Sequence, residues 1–125
     1  MSEGEQRVRY MLLIYGDEQA LDQSERDACY AESAQLAHQM DDAGQFISTA
    51  PLHSTSMATS VRVREGKRVV TDGPFAETRE QLGGYFMVNA ENLDDAIAIA
   101  ARIPGARWGT VEVRPVIELT GILPE

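Results

Sequence analysis

Two stretches of this chain are apolar on both faces of a strand, and nothing else in it limits the fold so strongly. Residues 8–15 put Tyr10, Leu12 and Ile14 on one side and Met11, Leu13 and Tyr15 on the other. Residues 84–89 set Tyr85 and Met87 against Phe86 and Val88. Successive side chains point to opposite sides of a strand, so such strands need cover on both faces.

The helical patterns that supply cover are only two. The first starts at Ser24 as N-cap, with Glu25 and Asp27 in its first turn, and runs to about Ala43. Its inward stripe is Cys29, Leu36, Ala37, Met40 and Ala43, while His38 faces solvent. Gly44 is the C-cap that reverses the chain. The second follows an Asn92 cap, carries Asp94 and Asp95 in its first turn, and must stop before Pro104. Leu93, Ala96, Ile97 and Ala100 form its inward face.

Between these lie a strand over 45–50, a break over 51–55, and a hairpin of 58–64 with 67–71 turning on Glu65-Gly66. A last strand over 110–115 turns Val111 and Val113 inward. The order strand, helix, strand, hairpin, strand, helix, strand describes a ferredoxin-like α+β sandwich. Two helices shield one face of its sheet. The second face is expected to meet the same face of another copy, giving a homodimer and a dimeric α+β barrel. The whole of 1–125 is expected to be one domain, with a mobile polar tail over 1–7 and a short apolar tail over 116–125.

Charge and cysteine content narrow the function classes. The net charge is −9, from 11 basic and 20 acidic residues. Counterion displacement on nucleic acid needs the opposite balance, so direct nucleic-acid binding is not expected. Cys29 stands alone, which excludes an internal disulfide and fits a reducing, cytoplasmic setting. No signal peptide is expected at the N-terminus, and no apolar run is long enough to span a bilayer. Metal-ligand spacings, glycine-rich phosphate loops and a nucleophile elbow are all missing from the pattern, so no metal or cofactor is expected.

The densest cluster of constraints is the stretch 71–85. Asp72-Gly73-Pro74 is turn chemistry: aspartate bonds nearby amides, and proline fixes its own φ while holding Gly73 extended. Phe75 is expected to plug the core. Two readings of Asp72 stand: a side chain stapling the turn, or a carboxylate held at the mouth of a cavity as base or anchor. Glu77, Thr78 and Arg79 are either a solvated loop or polar groups aimed at a ligand, with Arg79 suited to clamping a carboxylate. Gly83-Gly84 reads as a bulge or a close backbone approach, and Tyr85 as a pocket hydroxyl or a core ring. His53, in the break after the second strand, is an exposed loop residue or a proton shuttle.

The stretch 71–85 resembles the YCII-related superfamily in its DGPF-domain branch. So do Tyr10 to Gly16, Val61 to Arg64, Leu93 to Ile97, Ala101 to Pro104 and Val111 to Pro115. The resemblance spans roughly 10–115. It implies the dimeric α+β barrel, and an association with sigma factors of the extracytoplasmic-function type. It also implies kinship with lyase-type enzymes that use a histidine–aspartate pair. The histidine of that pair belongs on the first helix, and its place here falls near Ser33, so the pair as such is not carried over. Two functions follow as expectations. One is a small-molecule binding protein or cofactor-free lyase or isomerase in the barrel. There Asp72 and His53 would be catalytic, and Arg79, Tyr85, Thr78 and Glu77 would bind substrate. The other is a regulatory module acting with a sigma factor.

Overall fold

Leu12, Phe86 and Val88 have almost no solvent-exposed surface, and the sandwich is assembled around them. The computed structural model describes residues 8–124; the tail expected over 1–7 lies outside the described residues, as does Glu125. In chain order the elements are β1 (Val8–Gly16), α1 (Gln23–Asp42), β2 (Phe46–Pro51), a 3-10 turn (Thr55–Met57), β3 (Thr59–Arg64) and β4 (Lys67–Asp72). They continue with β5 (Gln81–Ala90), α2 (Leu93–Ala100), α3 (Gly105–Trp108) and β6 (Thr110–Pro115).

Four strands form one sheet in the order β2-β5-β1-β6, and β3 and β4 form a separate hairpin. All pairings are antiparallel. The units β1-α1-β2 and β5-α2-β6 therefore interleave, which is the ferredoxin-like arrangement expected from the element order.

One face of the sheet carries the core. Tyr10 and Leu12 from β1 meet Phe86, Val88 and Ala90 from β5, with Leu36 and Met40 of α1 and Ala96, Ile99 and Ala100 of α2 packed above. Phe46 of β2 meets Phe86 edge-on, ring centroids 6.4 Å apart. Each such large apolar side chain contributes about 1.5–3 kcal/mol when fully buried. On the other face Met11, Leu13 and Tyr15 pair with Met87, Tyr85 and Leu82, and the first three, with Met87 and Tyr85, are half-buried.

Gly83 and Gly84 do what their spacing suggested. The register jumps from Ile14↔Gly84 to Tyr15↔Leu82, leaving Gly83 as the extra residue of a bulge. At Gly84 a Cβ would sit 2.9 Å from the Ala50 carbonyl oxygen, so only glycine lets β2 close on β5 there.

Several details differ from the pattern. The N-cap of α1 is Asp22, not Ser24, and a reciprocal capping box explains why: Asp22 Oδ1 accepts from Glu25 N at 2.8 Å, and Glu25 Oε1 accepts from Asp22 N at 2.9 Å. Ala43 is exposed as C-cap, and Gly44 follows it in the left-handed region at φ +75°. On α2 the inward residues are Ala96, Ile99 and Ala100, while Leu93 and Ile97 are about half exposed. Phe75 plugs nothing: it is 82% exposed. The short helix α3 has no counterpart in the pattern, because four residues are too few to show a period.

Candidate functional site

The helix side of the sheet is not closed along its whole length. The inward stripe of α1 is continuous, but its chemistry changes halfway. Leu36, Ala37 and Met40 in the C-terminal half pack on the core; Arg26, Cys29, Tyr30 and Ser33 in the N-terminal half face a cleft instead. The cleft measures about 940 Å³. Its floor is Ile14, Gly84 and Phe86, and its walls are the β1–α1 loop, the loop after β2, and α3 with Gly105 and Trp108. It lies over the end of the sheet where β1 stops and β5 begins.

Three polar linkages hold the walls in place. Glu18 spans two of them: its carboxylate accepts from Ser54 Oγ at 3.1 Å, Thr55 Oγ1 at 2.9 Å and Thr55 N at 2.9 Å. The Thr55 backbone amide, helped by the two hydroxyls and the Arg26 charge, holds the Glu18 carboxyl below its ordinary value despite partial burial. Arg107 of α3 grips Glu32 of α1 with two bonds of 2.9 and 2.8 Å, a bidentate pair across the far rim. At the near rim Asp17 accepts from Gln19 N at 2.9 Å and lies 3.9 Å from Arg79 Nε.

Arg26 differs from these. It lines the cleft and is half-buried. Among the described residues its guanidinium makes one long bond, Nη1 to the Glu18 carbonyl oxygen at 3.4 Å.

The residues singled out by the sequence are not gathered in one place. His53 lines the cleft from the loop after β2. Arg79 reaches its rim through Asp17, though the Arg79 side chain is 89% exposed. Gln81 lines the cleft too, and its amide donates to the Ala76 and Thr78 carbonyls at 3.3 and 2.9 Å, fixing the loop that carries Thr78. The Thr78 hydroxyl turns back to the Glu80 carbonyl at 2.7 Å. Glu77 is exposed on that loop. Tyr85 points to the opposite sheet face, where its hydroxyl donates to Ser48 Oγ at 3.3 Å. Asp72 is exposed at the end of β4, outside the cleft lining. At the hairpin base Gly73 N donates to the Ala58 carbonyl and Ser60 Oγ to the Gly73 carbonyl, each at 2.7 Å, so backbone and serine hold the turn.

Asp17, Glu18, Arg26, Tyr30 and Ser33 were not drawn together by motif reading. One signal for some of them exists: Arg26, Tyr30 and Ser33 recur at helical spacing in line with Leu36 and Met40, so polar groups occupy an inward stripe. Among the described residues no group of three or more His, Cys, Asp or Glu is placed to hold a metal ion. None of the described helices is long and apolar enough to cross a membrane.

Sheet order and cleft together define a ferredoxin-like α+β chain with an open, mixed-polarity site on the helix side of its sheet. The chain belongs to the YCII-related family, whose domain model matches residues 8–120. It is similar to an uncharacterised protein of Rhizobium meliloti (strain 1021), 33% identical over 112 residues that cover 86% of this chain and 90% of the relative.

Proposed function

We propose that this protein binds a small organic molecule in the cleft over the ends of β1 and β5, with His53 as the group that can exchange a proton with it. The observation that carries this reading is the cleft itself. Its volume of about 940 Å³ falls in the range of small-molecule sites, and it combines an apolar floor with a few fixed polar groups. The Glu18 carboxylate accepts three hydrogen bonds that hold the walls, so it serves as scaffold. His53 stands on a loop that Glu18 pins, where an imidazole suits cofactor-free proton transfer of the lyase or isomerase kind. Asp72 enters this chemistry only if a second copy brings its hairpin to the cleft.

A homodimer is part of the proposal. The sheet face opposite the helices carries Met11, Leu13, Tyr15, Tyr85 and Met87, an apolar surface suited to a copy of itself. The stretch 71–85 supports placing the chain in the DGPF branch of the family.

The test is a fragment screen by saturation-transfer NMR on the wild type and on Ser33→Trp, which fills the cleft from α1. Hits that bind the wild type and are lost in a folded Ser33→Trp protein support the site. Hits that bind both proteins equally place binding elsewhere.

A second reading, an interaction module of the kind that acts with a sigma factor, is favoured by the hairpin. Val61, Val63 and Val70 share one of its faces and are 58, 62 and 56% exposed. Contiguous exposed apolar surface of this sort suits a protein partner. Retention of a purified sigma factor by the wild type, lost in Val61→Asp, would support it; no retention would remove it.

A further inference from the structure

We infer that the ligand of the cleft is a monocarboxylate with an apolar body, its carboxylate seated against Arg26. This rests on reading the cleft as a small-molecule site, and it names what that site selects.

A guanidinium has five N–H donors in a rigid fork. In Arg26 the single bond is long and goes to a neutral carbonyl, and no carboxylate lies within 4.0 Å among the described residues. Other arginines show the contrast. Arg107 is spent on Glu32, and Arg9 on Glu118 at 2.7 and 2.8 Å. A half-buried cation facing a cleft, with donors that no described residue takes up, is a site for a planar anion, and a carboxylate matches the fork with two parallel bonds.

Glu18 does not take that role with its carboxylate. The Glu18 carboxylate already accepts three hydrogen bonds from Ser54 and Thr55. Its charge, with that of Asp17, also sets the class of anion. Two carboxylates on the cleft wall repel a dianion such as a phosphate monoester more than a single negative charge. The chain's net charge of −9 acts in the same direction. Beyond Arg26 the cleft offers Leu52, Phe86, Ile103 and Trp108, which suit an apolar or aromatic body.

Matched acid and amide pairs separate the two claims. The probes are 3-phenylpropanoate with 3-phenylpropanamide and hexanoate with hexanamide, titrated by ligand-observed NMR against the wild type, Arg26→Gln and Arg26→Lys. A charge-assisted bond gives the acids an advantage of about tenfold or more over the amides in the wild type. Arg26→Gln removes that advantage and leaves amide affinity unchanged; Arg26→Lys keeps part of it. Inorganic phosphate does not displace the acids. Equal binding of acid and amide, or a preference that survives Arg26→Gln, overturns the carboxylate inference and leaves the cleft standing as a site. Failure of every probe to bind overturns both. Should Arg26→Gln not fold, an acid preference in Arg26→Lys equal to that of the wild type overturns the fork as its source.

Discussion

Glu18 is the residue on which the shape of the cleft turns. It sits in the β1–α1 loop just past Asp17 and ties that loop to the turn after β2 through three bonds. Its carboxyl titrates below its ordinary value of 4.5, with the Thr55 amide as the largest cause. A depressed folded-state value means the unfolded chain takes up the proton first. The stabilisation is therefore full above the ordinary value and lost as pH falls through the folded one. Glu18→Gln is expected to cost about 1 kcal/mol at neutral pH by urea denaturation, since an amide keeps one acceptor and loses the charge. The gap between wild type and variant is expected to close as pH falls through the depressed folded-state value, below which both are uncharged at this position. A gap that stays constant with pH would show that Glu18 is not held as an ionised clamp.

At the scale of elements, α1 is a helix with two tasks on one stripe. Leu36 is buried in the core and Ser33, one turn earlier, faces the cleft. Leu36→Ala is expected to cost about 2–5 kcal/mol, whereas Ser33→Ala stays within about 0.5 kcal/mol, both read from denaturant midpoints. Comparable costs at the two positions would mean that the N-terminal half of α1 is packed and the cleft is not open. This division also explains what could be read from the sequence. Strand alternation in β6 showed Val111 and Val113 turned to the core, because a period of two survives in short segments, whereas β1 and β5, apolar on both faces, showed only that each face needs cover. The Asn92 cap and the bulge glycines were legible because each is a local backbone requirement. The cleft was not, since its lining comes from five separated segments that only the folded sheet brings together. The turn at Asp72 is legible as compressed turn chemistry, but the hairpin base is held by the Gly73 backbone and the Ser60 hydroxyl, with Asp72 exposed and Gly73 at φ +100° rather than extended. Phe75 and the outward Leu93 and Ile97 show the limit of composition: apolar residues are also common on surfaces.

On the scale of the whole molecule, two surfaces remain to be assigned, the sheet face without helices and the hairpin. A homodimer through the sheet face is expected to show twice the chain mass by light scattering and to dissociate in Met87→Asp, which puts a charge in the middle of the apolar face. A monomer at all concentrations would leave that face to the chain's own cover. On the hairpin Val61, Val63 and Val70 share one face with Arg68, and Arg62, Arg64 and Lys67 share the other with Val69, in a chain that is acidic overall. Ligand binding of the kind proposed requires the cleft on the helix side of the sheet. Amide shift mapping with 3-phenylpropanoate tests this most directly. Shifts concentrated at Glu18, Arg26, Ser33, His53 and Gly105 are the expected result; shifts concentrated at Tyr85, Met87 and Asn89 on the other face, or around Asp72 on the hairpin, would contradict it.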